Sequence, residues 1–281
     1  MRIPEYLSSN FKIIRLNGAI YDMRECGILV KSFIVDSPSP VNSRETIEGR
    51  DGFIDMGTTY DGRTAHAELQ LMSVDIPDFA LYRDEVFHMF DSREYFYLIC
   101  DAEPGKRWHF KYDSKFSIEQ KAKSGTFSID FVSDLSYAES VGRTDTDPID
   151  MDSDVWQMIG AGITLEDDLI YEWSQSSFRI YNGGDATVDP RQYEMVIQFI
   201  GASSGLQIQN QTTGETFKYN NPTAANDTLE LNGPRVLLNG VSSLRYSNRQ
   251  LLRIVPGWND IQISGTSGSF TITFGFRWLY L

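Results

Sequence analysis

The stretch SFTITFGFRW, residues 269–278, sets Phe270, Ile272, Phe274, Phe276 and Trp278 against Thr271, Thr273, Gly275 and Arg277. Successive side chains on a strand point to opposite faces, so this alternation predicts a strand with one buried face and one wet face. The same period of two recurs outward along the chain. Tyr193, Met195, Ile197 and Phe199 share a face, as do Ile261 and Ile263. Trp108, Phe110 and Tyr112 alternate with His109, Lys111 and Asp113, and Phe127, Ile129 and Phe131 alternate with Ser128, Asp130 and Val132. Between these runs lie turn dipeptides: Asn17-Gly18, Asp51-Gly52, Asp61-Gly62, Pro104-Gly105, Gly183-Gly184, Asn239-Gly240 and Pro256-Gly257. With 14 Tyr and 17 Phe, the composition favours strands.

One segment departs from this period. From Asp78 to Asp91, the apolar residues Phe79, Tyr82, Val86, Met89 and Phe90 fall at offsets of three and four, which marks one face of a helix. This predicts one helix over about 78–91, with Asp78 as a carboxylate N-cap. A length of 281 residues fits two domains. The run VGRTDTDPIDMDSD, residues 141–154, is acidic and poor in apolar residues, which is the composition of a linker. The expected organisation is a domain over 1–140 with the helix, an acidic linker over 141–154, and a domain over 155–281. The expected fold class is mainly β, with two sandwich-like or barrel-like domains.

Composition also narrows the function. A formal net charge of −14 has the wrong sign for gripping phosphates, so specific nucleic-acid binding is not expected. No run approaches the roughly 20 apolar residues of a membrane-spanning helix, and MRIPEYLSSNFKIIRL has no apolar signal core, so synthesis in the cytosol is expected. Cys26 and Cys100 show no disulfide or zinc spacing and read as two buried thiols. The sequons at Asn210 and Asn226 then carry no glycan.

Catalytic patterns are weak. Gly201-Ala202-Ser203-Ser204-Gly205 matches the form of a nucleophile elbow, but His66, His88 and His109 all precede Ser203, and strands flank it on both sides. A hairpin turn is the expected reading. Asp150-Met151-Asp152-Ser153-Asp154 begins like an EF-hand loop, yet Val155 and Ala161 stand where a Gly and a bidentate Glu are needed. No catalytic residue, metal ligand or cofactor is assigned.

Seven segments, taken together and in order, resemble the distal tail (Dit) proteins of siphophages that infect Gram-positive bacteria. They are IEGRDG (47–52), DAEPGK (101–106), GTFSIDF (125–131), YNGGDATVDPR (181–191), NQTTGETFKY (210–219), PGWNDIQISG (256–265) and FGFRW (274–278). The resemblance implies a structural protein of the virion tail tip, assembled in the host cytoplasm. Its N-terminal β domain would form a belt in a homo-oligomeric ring, hexameric in the family. Its C-terminal domain would be a galectin-like or carbohydrate-module-like jelly roll. Partners would be the tail tube protein, the tip hub or baseplate protein, and a receptor-binding protein.

A ring needs one patch to meet a different patch on the next copy. Exposed strand edges over Ile28–Val35 and Ala65–Met72 are the expected closing elements. The motif residues Gly49, Arg50, Asp51, Gly52, Pro104, Gly105, Gly183, Gly184, Pro256 and Gly257 read as structural turns, with Arg50 and Asp51 paired with each other or with a neighbouring copy, the intrachain contact being the one expected. The alternative is a carbohydrate-binding module or receptor-binding protein that contacts cell-wall glycans by stacking sugars on Trp156, Trp173 or Trp258. A tail-associated hydrolase is a third reading, for which no constellation of residues is recognisable.

Overall fold

The computed structural model describes residues 9–149, 153–158, 162 and 169–281. The chain divides into two compact units, Met1–Ala138 with Leu281, and Glu139–Tyr280. The fold is mainly antiparallel β, as the alternation predicts. No helix among the described residues is long and apolar enough to cross a membrane.

The first unit contains β1 (Phe11–Arg15), β2 (Ile20–Asp22), β3 (Ile28–Val35), β4 (Pro40–Glu45), β5 (Ile54–Tyr60), β6 (Thr64–Met72), α1 (Phe79–Met89), β7 (Phe96–Cys100), β8 (Lys106–Tyr112), β9 (Glu119–Lys121) and β10 (Ser124–Val132). Strands run in the order β2-β1-β7-β8-β10-β6-β3, with β9 beside β10. The sheet curls on itself, because Phe11 of β1 lies 5.3 Å from Phe33 of β3 although five strand pairings separate them. Phe131 sits at the centre, with the rings of Phe11, Phe33, Phe90, Phe96 and Phe110 at 5.8–6.4 Å.

The helix presses its predicted face on this core, with Phe79, Val86, Met89 and Phe90 buried. Its N-terminus differs from expectation. Asp78 makes no capping bond with its side chain. Instead, the carboxylate of Asp75 accepts from the Asp78 amide at 3.0 Å. Three residues upstream, that carboxylate reaches a free donor that Asp78 cannot reach from its own helical backbone conformation.

At the boundary lies β11 (Ala138–Ser140). The second unit contains β12 (Glu172–Trp173), β13 (Ser177–Asn182), β14 (Met195–Asn210), β15 (Glu215–Tyr219), β16 (Thr228–Asn232), β17 (Arg235–Leu238), β18 (Val241–Ser242), β19 (Gly257–Phe276) and β20 (Leu279–Tyr280). Two long strands organise it. β14 pairs with β19 from Met195↔Phe276 to Asn210↔Ile261, with register shifts between Gly201 and Gln207.

The segment read as a hairpin turn, 201–205, is therefore a bulged bend within one strand. Gly201 (φ +155°) lies opposite Phe270, and Gly205 (φ +70°) lies against Gly265 (φ +79°) on the partner strand. A Cβ on Gly265 would sit 2.3 Å from the Gly205 carbonyl oxygen, so the two backbones come together where only glycine fits. Below the bend, β14 and β19 are flanked by β15 and β13; above it, by β16 and β12. The halves fold face to face, since Phe178 of β13 packs on Phe274 of β19 at 5.9 Å.

The acidic stretch 141–154 is not a free linker over its described part. The Thr144 hydroxyl donates to the Phe274 carbonyl at 2.7 Å and accepts from the Phe276 amide at 3.0 Å, completing the edge of β19. Arg143 pairs with Asp145 at 2.7 Å and Glu194 at 2.5 Å. One guanidinium nitrogen of Arg277 donates to the Ser140, Val141 and Gly142 carbonyls. Alternating Asp and Thr residues read as solvated when the strand edge that they satisfy is unknown. Asp150 and Asp152 lie outside the described residues.

Candidate functional site

The enzyme-like motif is the first to be placed. Ser203 is 3% exposed, and its hydroxyl lies 2.8 Å from that of Thr223, which donates to the Gly201 carbonyl at 2.7 Å. The hydroxyl pair stitches the bulge and faces no base; the sequence of the second unit contains no histidine. The histidines of the first unit sit on ordinary elements. His66 Nδ1 lies 2.6 Å from Asp130, and His109 Nδ1 lies 2.9 Å from Asp134 with Tyr95 stacked on its ring.

The turn residues divide by role. Gly49, Gly52 and Gly257 have positive φ. Gly183 and Gly184 permit close approach instead, since a Cβ would lie 2.5 Å from the Trp278 ring and 2.5 Å from the Leu279 amide nitrogen, respectively. Pro104 and Gly105 lie in the turn from β7 to β8, closed by the Lys106 amide on the Glu103 carbonyl. Pro256 precedes β19. Arg50 and Asp51 form no ion pair with each other, contrary to expectation; both are exposed at the tip of a ribbon that holds them apart from the rest of the unit.

Three of the quoted motifs share a device that period-two reading does not reveal. Each contributes a buried asparagine. Asn182 donates to the Ala186 and Ile254 carbonyls at 3.0 and 3.2 Å. Asn210 donates to the Arg253 carbonyl at 2.8 Å and to the Asn259 side-chain oxygen at 3.1 Å. Asn259 donates to Val255 and Gly257 carbonyls and accepts from the Val255 amide. The amides clamp three loops onto the segment 253–255, adding to the bridge between Ile254 and Val188 and to the Arg253 amide on Glu215. The signal in the sequence was an Asn at the start or centre of each Gly-rich motif. Asn210 is thereby unavailable as a glycosylation site.

Carboxylates reinforce these loops. Asp189 lies below the ordinary carboxylate range, chiefly because Arg191 donates to it, and Asp227 is lowered by the Ala224 amide and the Asn239 side chain. Burial raises Asp147, but bonds from the Arg143 amide and the Thr146 hydroxyl outweigh this and lower it.

Of the candidate stacking residues, Trp156 is excluded by position. It is 3% exposed, packs 4.8 Å from Trp278, and donates to the Pro148 carbonyl at 3.1 Å. A tryptophan after an acidic run reads as surface until Gly142, packed under its ring, is seen to make room for it. Trp173 and Trp258 are half-buried and line one shallow groove of about 460 Å³ with Arg179, Gln211 and Asp260. Arg179 lies over the Trp258 ring at 4.6 Å.

The surface of the first unit is different. β3 is an edge strand, with Ile34 exposed. β6, expected to be a second open edge, has β10 on one side and β3 on the other, so its backbone groups are already used. β4 and β5 leave the sheet as a separate two-stranded ribbon, exposed on both faces. It carries Val41, Ile47, Phe53, Met56 and Tyr60 to solvent, with Arg44 over the Phe53 ring at 4.3 Å. Sequence reading missed the ribbon because its apolar residues are too scattered to look like a core face. At the far end of the unit, α1, β2 and the β9–β10 turn surround an open cavity of about 1070 Å³. Cys26 lines it and is only half-buried, unlike Cys100; burial raises both thiols.

Comparison with known proteins places this geometry. A family model described as the phage tail protein RIFT-related domain matches residues 21–133, inside the first unit. Among solved structures, the chain is similar to the SPP1 Dit protein, described as a paradigm of hub adsorption apparatus in Gram-positive infecting phages. That likeness has 12% identity over 96% of this chain and 99% of that chain, with a TM-score of 0.69. A chain of the phage p2 baseplate in its activated conformation with Sr aligns at 10% identity over 95% of this chain and 97% of that chain, with a TM-score of 0.48. No curated protein sequence matches. The chain thus carries a phage tail protein RIFT-related domain over residues 21–133, shares the fold of SPP1 Dit over nearly its whole length, and resembles the siphophage distal tail proteins.

Proposed function

We propose that the chain is a non-enzymatic structural component of the phage tail tip, a distal tail protein that closes into a ring through its first unit. The ring joins the tail tube to the hub or baseplate and anchors receptor-binding proteins. Six copies is the number implied by the resemblance, and the second unit projects outward as a galectin-like domain. The observation that carries this reading is the phage tail domain over residues 21–133, found on the unit that also leaves a strand edge and an apolar ribbon open. Edge strands left bare invite pairing with another chain, and a heterologous contact repeated by a closing rotation gives a ring. Native mass measurement with negative-stain imaging tests it. Annular particles of about six copies are expected; a chain that remains monomeric beside its tail-tube and hub partners would contradict it.

A second reading has one specific support, the groove that brings Trp173 and Trp258 together with Arg179, Gln211 and Asp260. Aromatic faces beside polar side chains suit a saccharide. Titration of the full chain with cell-wall polysaccharide would show saturable quenching of tryptophan fluorescence, lost in Trp258→Ala, if this groove binds glycan; unchanged fluorescence would dismiss it.

A further inference from the structure

We propose that the ribbon tip of one copy, residues 46–53, docks into the open cavity of the first unit in the next copy. This rests on the ring reading above and names its interface. Ribbon and cavity lie at opposite ends of the same strand pair. The ribbon leaves from Val35 of β3 and Thr64 of β6, whereas the cavity is bounded by Gly27, just before β3, and Met72, the end of β6. Nine residues of extended strand put roughly 30 Å between the two ends. The base of the ribbon is held at the end away from the cavity, where the Asp61 amide donates to the Ser39 carbonyl and the Ser136 hydroxyl donates to the Tyr60 and Asp61 carbonyls. Its strands of six and seven residues, roughly 20 Å long, fall short of the distance back to its own copy's cavity. A second copy is the occupant that this spacing fits, head to tail.

The surfaces match in chemistry. The tip offers Ile47 and Phe53, both exposed, with one face of the Phe53 ring covered by Arg44, and the cavity offers Tyr82, Met72 and Met89. A two-stranded ribbon alone is marginal in water and gains stability from a partner that covers its apolar side chains. Around the tip stand Glu45, Glu48 and Asp51, none in an ion pair, against Arg50. Around the cavity stand Lys121 and Lys123, both exposed and also outside any ion pair, with Glu85 and His88 on the helix and, after β2, Glu25 and Arg24, the latter paired with Asp101. Acids left unpaired on one end and lysines left unpaired on the other are complementary across a head-to-tail contact and would favour that register.

Cys26 in the cavity supplies the test. The full chain with Arg50→Cys and Cys100→Ser is oxidised by copper–phenanthroline in air, under conditions where the protein assembles. The expected result is a ladder of disulfide-linked copies on a non-reducing gel, absent when Cys26→Ser is added. Oligomers that form but give no link through Cys26 overturn this interface and leave the ring reading intact. A chain that is monomeric at every concentration overturns both. Charge reversal gives an independent arm. Lys121→Glu with Lys123→Glu should raise the concentration needed for assembly by about tenfold or more, and adding Glu45→Lys with Glu48→Lys should restore it. Assembly unaffected by the first pair contradicts the proposal.

Discussion

The two units manage their surfaces in opposite ways. Among the described residues, twelve large apolar side chains between Leu16 and Phe87 are exposed in the first unit, while the second unit exposes only Ile170, Ile200 and Val241. The second unit instead turns inward. Its loops are tied by buried Asn182, Asn210 and Asn259, its central bend by Ser203 and Thr223, and its β19 edge by Thr144. Five of the twelve, Val41, Ile47, Phe53, Met56 and Tyr60, belong to one two-stranded ribbon that has no other strand to cover it. The difference teaches that the first unit is built to be completed by other molecules and the second largely completes itself.

This contrast can be broken at several points. The largest effect is expected at Phe131, the ring on which five others converge. Phe131→Ala should cost the first unit about 3–5 kcal/mol, read by chemical denaturation, because the cavity left behind cannot close against so many fixed rings. A loss below 1 kcal/mol would mean that this core is looser than the geometry implies.

Next comes the polar clamp of the second unit. Asn259→Ala strands the Asn210 amide and the Val255 amide in a dry site, and should cost about 1–3 kcal/mol. The double variant with Asn210→Ala should cost clearly less than the sum of the two singles, since they share one network. Strict additivity would show that the amides act independently.

A sharper test uses the ribbon. Phe53→Ser removes an exposed ring, so folding stability should move by no more than about 0.5 kcal/mol while assembly weakens. Destabilisation of the monomer instead would show that the ribbon belongs to the core of its own unit.

The smallest effect is in acid. Asp147, Asp189 and Asp227 of the second unit are held below the ordinary carboxylate range, against Asp91 of the first, which Arg93 holds at about 2. A depressed carboxylate stabilises the fold above its unfolded value, about 3.9, and loses that contribution as pH falls toward its folded value. Amide exchange at pH 3 compared with pH 6, corrected for intrinsic rates, should therefore show lost protection in the loops that Asp147, Asp189 and Asp227 tie and in the turn beside Asp91. Protection unchanged at pH 3 in all four would contradict the carboxylate account.

Much of this was legible in the sequence, and the illegible parts have physical reasons. Strands such as 124–132 and the helix face of Phe79, Val86 and Phe90 follow from periodicity, because one face of each is buried. Periodicity does not register a strand that bends without stopping, so Gly201–Gly205 looked like a turn. It is equally silent on which strand stands at an edge: β3 and β6 have similar patterns, and only pairing shows that β6 is interior. The Asn clamp and the burial of Trp156 depend on residues far away in sequence, such as Arg253 and Trp278. The family motifs carried that information as text before the structure supplied its cause.

The central claim, that assembly is the work of the first unit, is tested most directly by amide hydrogen exchange of the full chain at concentrations below and above assembly. New protection should appear at β3, along the ribbon of β4 and β5, and around Lys121–Ser124, with the second unit unchanged. Protection that appears in the second unit while these segments exchange as freely as in the monomer would contradict it.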